Sequence, residues 1–406
     1  MRRVVITGAA GISALGSSWS EIRDSLSKQK NRIQRMASWD CYEDMNTRLA
    51  APIIDFQLPD HYDRKHTRSM GRVAMLAVRA TELALEKAGL INHRVITNGK
   101  TGISYGSATG STDATVDLAQ LLNTRSLKTL NSTTYVRMMS HTAAVNIGVF
   151  FGITGRVIPT SSACTAGSQG IGYGYEAIKH GQQTIMITGG SEELCPTESA
   201  MFDVLHATST LNSQPHRTPR PFDCDRDGLV IGEGSCTLIL EDMEHALDRG
   251  APVLAEIVGY GTNSDGNHVT RPNPITMSEA LRLSLKDADL PPSEIGYVNA
   301  HGTATEHGDI AETQATEAVF GWPVPISSLK SYIGHTLGAC GSLEAWMSVQ
   351  MMNDDWYAPT INLESVDERC GELDYLCTPT CLNNEFVMSN NFAFGGINTS
   401  LIFRRV

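Results

Sequence analysis

Short apolar, β-branched runs alternate along the chain with segments whose apolar residues recur at helical spacing. The first run, Val4 to Thr7, leads into a glycine-rich loop over residues 8–16 and a helix that begins after Ser18. Ser18 and Glu21 have the spacing of a capping box. Further strands are predicted at residues 101–106, 155–160, 184–190, 236–240, 253–260, 295–300, 386–389 and 399–403.

Helical spacing extends furthest between Tyr62 and Gly89, and the glycine is a typical helix stop. Strands that alternate with helices are typical of an α/β protein with a largely parallel, buried sheet. The order of elements after residue 250 repeats the order before it. We therefore predict a duplicated α/β unit whose halves span residues 1–250 and 251–406. Further helices are predicted near residues 143–147, after residue 169, and at 243–249, 309–320 and 337–352.

Composition narrows the class of protein. The 406 residues are 41% apolar and 19% charged, which is ordinary for a globular enzyme. The nine cysteines are odd in number and form no CxxC pair, so we expect a reduced, cytoplasmic compartment, without disulfides or a metal site. No apolar run is long enough to span a membrane. The net charge of −12 disfavours general nucleic-acid binding.

A nicotinamide-binding site is the first alternative that the glycine-rich N-terminus suggests. Gly8, Gly11 and Gly16 do not have the GxGxxG spacing, and no acidic residue ends a second strand at the usual distance. The sequence therefore disfavours a dinucleotide-binding Rossmann site.

Cys164 is the candidate nucleophile. It follows the strand at residues 155–160 within the small-residue run SSACTAGS, and a helix begins here, so we place Cys164 in the first turn of that helix. Free N–H groups at a helix N-terminus stabilise a thiolate, which predicts a lowered thiol pKa. The same groups are able to hold an oxyanion during acyl transfer.

Two histidines and a lysine follow predicted strands in the second half of the chain. His301, Lys330 and His335 lie in loops rich in glycine and threonine. Loops at the carboxyl ends of strands are where open α/β sheets bind ligands, so these side chains are expected near Cys164. A cysteine with two histidines and a lysine indicates acyl-thioester chemistry.

Four motifs carry a family resemblance: SSACTAGS at 161–168, HGTATEHGD at 301–309, LKSYIGHTLGACG at 329–341 and NNFAFGGIN at 390–398. In this order they resemble the elongating β-ketoacyl-acyl-carrier-protein synthases, and the bacterial synthases I and II in particular. The resemblance covers essentially the whole chain. It implies a thiolase-like fold, with the duplicated unit in five layers, α-β-α-β-α.

The resemblance also implies roles for individual residues. Cys164 holds the acyl chain as a thioester, while His301 and His335 promote decarboxylation of a malonyl thioester. Lys330 supports the site and pairs with Glu312. The remaining implied site residues are the gating Phe394 with its neighbour Phe392, the phosphopantetheine-binding Thr303, Thr305 and Thr270, and Thr109 in the loop that shapes the acyl pocket.

The implied partner is an acidic acyl carrier protein, whose phosphopantetheine arm carries the substrates, so no further cofactor is expected. Four basic residues stand where synthase I has basic residues and are docking candidates: Lys65, Arg68, Arg125 and Lys128. A homodimer is expected, and a heterodimer with a chain-length-factor-like subunit stays open.

The motifs depart from the family pattern at four positions, where Ala393 replaces a glycine, Ile397 a threonine, Glu306 a proline and Cys340 an alanine. Ala393, directly before the gating Phe394, has fewer accessible backbone conformations than the glycine it replaces. The pathway stays open between fatty-acid elongation and a specialised polyketide or polyene synthase. Three related classes of protein fit the residues less well. A non-catalytic chain-length factor lacks the cysteine, a thiolase uses a second cysteine as base, and a priming synthase carries Cys-His-Asn.

Overall fold

All 406 residues are described by the structure, a computed structural model. Its fourteen strands comprise β1 Val4–Ser13, β2 Gln34–Arg35, β3 Leu49–Ala51, β4 Thr101–Gly106, β5 Val157–Thr160, β6 Ile185–Glu192, β7 Ile231–Gly232, β8 Gly234–Asp242, β9 Ala255–Ser264, β10 Ile295–Asn299, β11 Pro325–Ser327, β12 Asp374–Tyr375, β13 Phe386–Ala393 and β14 Ile397–Arg404.

Eleven of these strands form one sheet in the order β12-β11-β10-β13-β14-β9-β1-β8-β6-β4-β5, and β2, β3 and β7 form a small second sheet. The large sheet contains the same arrangement twice. When the five strands of each half are numbered in chain order, both halves have the order 3-2-4-5-1, with the same parallel and antiparallel pairings. The halves are joined where β1 pairs antiparallel with β9. The predicted duplication is confirmed.

The thirteen helices are α1 Trp19–Ser27, α2 Arg64–Thr67, α3 Arg72–Lys87, α4 Thr112–Thr124, α5 Thr134–Met138, α6 Thr142–Phe151, α7 Ala166–Lys179, α8 Pro196–Asp203, α9 Met243–Asp248, α10 Pro274–Ala288, α11 Glu306–Phe320, α12 Lys330–Ile333 and α13 Cys340–Asn353. None of them is long and apolar enough to cross a bilayer.

The helices pack in three layers around the two halves of the sheet. Helices α3 and α6 cover the first half, and α10 and α11 cover the second. Helices α7 and α13 pack against each other and against strands of both halves, so they form the middle layer. The structure thus has the predicted five-layer, thiolase-like arrangement.

Three predictions about local structure were wrong. The glycines after Val4 continue β1 instead of forming a loop, because Gly8 and Gly11 admit close packing: an added Cβ would lie 2.4 Å from the Ala84 carbonyl oxygen and 2.5 Å from the Trp346 ring, respectively. The helix predicted from residue 62 to 89 is two helices, α2 and α3. The sheet is mixed, since half of its neighbouring strand pairs are antiparallel.

The interruption between α2 and α3 includes Gly71, a position with no room for a side chain. Gly71 caps α3 in an extended conformation, and any β-carbon there would lie 1.9 Å from the Ser111 hydroxyl. The predicted start of α1 is confirmed, with Ser18 and Glu21 forming both hydrogen bonds of the capping box. Helices α4, α5, α8, α10 and α12 were not predicted, because they are short or because polar residues obscure their apolar periodicity.

Candidate active site

Cys164 lies in a 3-10 turn, Ala163–Thr165, between the end of β5 and the start of α7. The nucleophile therefore precedes the helix by one tight turn, whereas the sequence placed it within the first helical turn. Ala163 has a φ of 51°, a left-handed conformation that is strained for a residue with a β-carbon. Such strain is retained where the surrounding fold fixes a side chain, here a cysteine that is 5% exposed.

His335 contacts Cys164 directly, because its Nε2 lies 3.0 Å from Cys164 Sγ. The ring's other nitrogen, Nδ1, accepts a hydrogen bond from the Leu337 backbone N–H at 3.1 Å. A neutral imidazole whose Nδ1 accepts must carry its proton on Nε2. His335 therefore donates its Nε2 hydrogen towards the sulfur.

His301 is oriented by a second set of buried groups. The Nζ of Lys330 donates to His301 Nδ1 at 3.2 Å, and the side-chain amide of Asn391 approaches the same nitrogen at 3.3 Å. Lys330 also forms a fully buried ion pair with Glu344, which accepts a further hydrogen bond from Asn391 at 2.7 Å. The His301 ring thus also carries its proton on Nε2.

The two imidazoles are adjacent and uncharged. Their ring centroids lie 5.1 Å apart at 86°, and ligand atoms of Cys164, His301 and His335 all lie within 4.8 Å of one another. Burial, together with the positive charge of Lys330, holds the pKa of both rings well below the usual histidine value. The site therefore offers two neutral N–H donors next to one thiol.

Glu312 does not pair with Lys330, and this prediction was wrong. Its carboxylate instead accepts hydrogen bonds from the backbone N–H groups of His301 at 2.6 Å and Gly302 at 2.7 Å. The ion-pair partner of Lys330 is Glu344, on α13. Glu312 therefore fixes the loop that carries His301, while Glu344 balances the lysine charge.

The thiol pKa is raised, contrary to the expectation from a helix N-terminus. Burial raises the pKa of Cys164 to about 11, although the charge of Lys330 and the backbone N–H groups of Phe394 and Cys164 act in the opposite direction. Desolvation of the anion outweighs these interactions, so Cys164 is a thiol at neutral pH.

This pKa predicts slow alkylation of Cys164 at neutral pH. With a thiolate fraction of about 10⁻⁴ at pH 7, the rate of reaction with iodoacetamide should rise roughly tenfold per pH unit and continue rising above pH 9. Peptide-resolved mass spectrometry measures this rate, with the exposed Cys41 as an internal reference. A plateau below pH 9 would contradict the raised pKa.

A cavity of about 420 Å³ leads to the three side chains. Phe394 lines it and stacks on Phe202 of α8, with ring centroids 5.1 Å apart. Phe392 is buried with its ring against His301. The hydroxyl groups of Thr303 and Thr305 bond to each other at 2.9 Å on the wall, and Thr270 also lines the cavity.

The other predicted site residues lie outside this cavity. Thr109 is exposed, and its hydroxyl contacts two glutamates, Glu192 and Glu198, instead of the cavity. The four basic residues, Lys65, Arg68, Arg125 and Lys128, are exposed on the surface. The hydroxyl of Thr133 donates to the Arg68 carbonyl at 3.1 Å, so the segment that follows Lys128 packs beside the end of α2.

Two site residues were missed by the sequence analysis. Glu344 follows His335 by nine positions within an apolar helix, and a charged residue at such a position is a usable signal of a buried ion pair. Asn391 lies within the NNFAFGGIN motif, but the sequence analysis assigned it no function. Both bond to the groups that orient His301.

Fold and site together define a thiolase-like acyltransferase with a buried cysteine beside two histidines. The family model of the β-ketoacyl synthase N-terminal domain matches residues 1–246, and that of the C-terminal domain matches residues 254–364. The chain belongs to the β-ketoacyl synthase family, whose members are condensing enzymes.

Individual relatives are similar to this chain over essentially their full lengths. The chain is 38% identical to 3-oxoacyl-[acyl-carrier-protein] synthase 1 of Haemophilus influenzae, with 100% of this chain and 99% of the relative covered. It is 56% identical to a β-ketoacyl synthase from Burkholderia phymatum, with a TM-score of 0.99 and complete coverage of both chains. A ketosynthase solved in complex with its type II polyketide acyl-carrier protein is 28% identical, with a TM-score of 0.88 and complete coverage of both.

Proposed function

We propose that this enzyme extends an acyl chain by two carbons through decarboxylative condensation with malonyl-carrier protein, using Cys164, His301 and His335. The observation that supports this most directly is the pair of neutral imidazole N–H donors beside one buried thiol. Intact-mass analysis tests it: acyl-carrier protein should add one acyl group to the enzyme, and malonyl-carrier protein should then remove it.

The first half-reaction moves the acyl group onto Cys164. The sulfur attacks the thioester carbonyl, a new carbon–sulfur bond forms, and the carrier's thiol leaves with the proton lost by Cys164. The backbone N–H groups of Cys164 and Phe394, which face the sulfur, are placed to stabilise the oxyanion. The Nε2–H of His335 assists by hydrogen bonding to the developing thiolate.

The second half-reaction needs an electron sink for decarboxylation. When the malonyl thioester loses carbon dioxide, negative charge develops on the thioester oxygen, and the Nε2 hydrogens of His301 and His335 stabilise it. The resulting carbanion attacks the acyl-cysteine carbonyl, and the carbon–sulfur bond breaks. One proton restores the Cys164 thiol, and the products are carbon dioxide and the β-ketoacyl-carrier protein.

An acyl carrier protein is the proposed partner. The Haemophilus influenzae relative is named for this carrier, and the polyketide ketosynthase was solved bound to one. Positive charge at Lys65, Arg68, Arg125 and Lys128 favours encounter with an acidic protein despite the net charge of −12. Thr303, Thr305 and Thr270 then lie along the path of the phosphopantetheine arm towards Cys164.

Charge reversal at the docking residues should weaken carrier binding. Replacing Lys65→Glu and Arg68→Glu together is expected to raise KM for the acyl-carrier protein about tenfold, with less loss at high salt, and to leave kcat nearly unchanged. Steady-state kinetics at two ionic strengths measures this effect. The matched control reverses two exposed lysines elsewhere, Lys30→Glu and Lys286→Glu. An equal rise in KM in the control would contradict the docking role.

The proposed assembly is a homodimer. Strand β5 is the edge of the large sheet, Val157 within it is 43% exposed, and Val149 on the adjacent α6 is 75% exposed. An apolar edge strand of this kind is a pairing site for another chain. Cys164 follows β5 directly, so pairing there would place the partner next to the acyl chain.

The nine unpaired thiols are consistent with the proposed cytoplasmic location.

A further inference from the structure

The turn that follows His335 is strained and contacts a side chain from the other half of the fold. Leu337, whose N–H orients the His335 ring, has a φ of 45°, a left-handed value that is unfavourable for a residue with a β-carbon. The next N–H along the chain, that of Gly338, donates to the carboxylate of Glu192 at 3.1 Å. Glu192 lies at the end of β6 and is fully buried. The conformation of this turn therefore depends on a residue from the first half of the chain.

Glu192 is fixed on its other side by the loop after β4. Its Oε2 also accepts from the backbone N–H of Ala108 at 2.6 Å, and its Oε1 accepts from the Ser107 hydroxyl at 2.9 Å. The carboxylate has no room to yield, because a β-carbon on Gly338 would lie 2.7 Å from Glu192 Oε2. Glu192 is thus a rigid acceptor for the turn after His335.

The protonation of the His335 ring depends on this turn. The segment around β7 holds only the His335 backbone, whose N–H donates to the Val230 carbonyl at 2.7 Å and whose carbonyl accepts from the Gly232 N–H at 2.9 Å. The ring nitrogen that carries the proton is determined by the Leu337 N–H, which occupies Nδ1. Without that hydrogen bond the proton is free to move to Nδ1, and Nε2 then accepts from the Cys164 thiol instead of donating.

We propose that Glu192 is a positioning residue for decarboxylation, because its hydrogen bond to Gly338 holds the turn that keeps the His335 proton on Nε2. This inference rests on the proposed function. It separates the two half-reactions. Decarboxylation needs the Nε2 hydrogen for the developing charge on the thioester oxygen. Acyl transfer to Cys164 tolerates either form of the ring, since an unprotonated Nε2 serves as a base for the thiol.

Substitutions at Glu192 in the full-length enzyme test the proposal. Glu192→Leu leaves the Gly338 N–H without its acceptor and should lower carbon dioxide release from malonyl-carrier protein by at least about tenfold. Acyl transfer to Cys164, measured by intact mass, should change much less. Alkylation of Cys164 by iodoacetamide at neutral pH should become faster, because Nε2 then accepts the thiol proton. Glu192→Gln should restore decarboxylation, since its amide oxygen is able to accept from Gly338 while its NH₂ group donates to the Ser107 hydroxyl.

The matched control is Glu193→Leu. Glu193 is 6% exposed and also accepts from backbone N–H groups, those of Val73 at 2.9 Å and Thr112 at 2.8 Å, but it makes no hydrogen bond to the turn after His335. The control should lose stability in urea while the ratio of decarboxylation to acylation stays at the wild-type value. The proposal is wrong if Glu192→Leu keeps the wild-type ratio, if Glu193→Leu changes the ratio equally, or if Glu192→Gln is as slow as Glu192→Leu.

Gly338→Ala provides an independent variant if Glu192→Leu does not fold. The added methyl group forces Glu192 Oε2 away, so the same contact is opened from the side of the turn. Decarboxylation should again fall much more than acyl transfer, and an unchanged ratio would contradict the positioning role. If the wild type itself releases no carbon dioxide from malonyl-carrier protein, the proposed condensation is wrong, whatever the effect of Glu192.

Discussion

The Cys164→Ala variant is expected to form no acyl-enzyme and to lose condensation by at least about 10³-fold, because the chain has no other thiol in contact with His335. Decarboxylation of malonyl-carrier protein should persist. The two Nε2 donors of His301 and His335 are held by Lys330 and by the Leu337 N–H, and neither of these hydrogen bonds involves the cysteine. Carbon dioxide release and intact mass measure the two half-reactions separately.

The matched control for this experiment is Cys340→Ala. Cys340 is a second buried thiol near the site, and its Sγ lies 3.2 Å from the Cys164 carbonyl oxygen instead of facing the cavity. It should still form the acyl-enzyme. Acylation of Cys164→Ala at any other position, with turnover, would show that the nucleophile has been wrongly assigned.

The Lys330→Met variant is expected to combine a large loss of stability with loss of decarboxylation. Lys330 and Glu344 are 1% and 0% exposed, so removal of the lysine leaves an uncompensated charge in the core, which costs about 3–5 kcal/mol. His301 also loses the donor that fixes its tautomer. Urea unfolding measures the first effect, and carbon dioxide release from malonyl-carrier protein measures the second.

A second substitution separates these two effects. In the double variant Lys330→Met, Glu344→Gln the buried charge is removed with its partner, so most of the lost stability should return. Decarboxylation should stay low, because His301 still lacks its lysine. If the Lys330→Met variant has the same urea midpoint as the wild type, the ion pair contributes nothing to stability, contrary to what its burial indicates.

Sequence patterns identified the duplicated α/β fold because strand and helix periodicities repeat in the same order in both halves. They failed where tertiary packing overrides local preference. Gly8 and Gly11 look like loop residues, yet β1 needs them for close contact with α3 and α13. Sequence patterns do not show which strands pair as antiparallel neighbours when long segments separate those strands in the chain.

The proximity of Cys164, His301 and His335 was predictable because their motifs are specific, whereas the partners of these residues depend on three-dimensional packing. Glu312 lies 11 residues after His301 in the sequence, but its carboxylate accepts from the backbone of His301 instead of pairing with Lys330. Glu344 meets Lys330 because the chain between α12 and α13 turns so that the two side chains form a buried ion pair. The thiol pKa depended on the balance between burial and local charge, and only the structure shows that burial is the larger effect.

Strand β14 has a consequence for biosynthesis. It lies between β9 and β13, and Asn391 and Phe394 precede it closely in the chain. A ribosome therefore exports the Cys164 half long before the last strand that completes the second half of the sheet. Until β14 pairs with both β9 and β13, the β13-β10-β11 part of the sheet is not joined to the first half. Chains that stop before β14 should consequently contain Cys164 without the arrangement that holds His301 and His335 beside it.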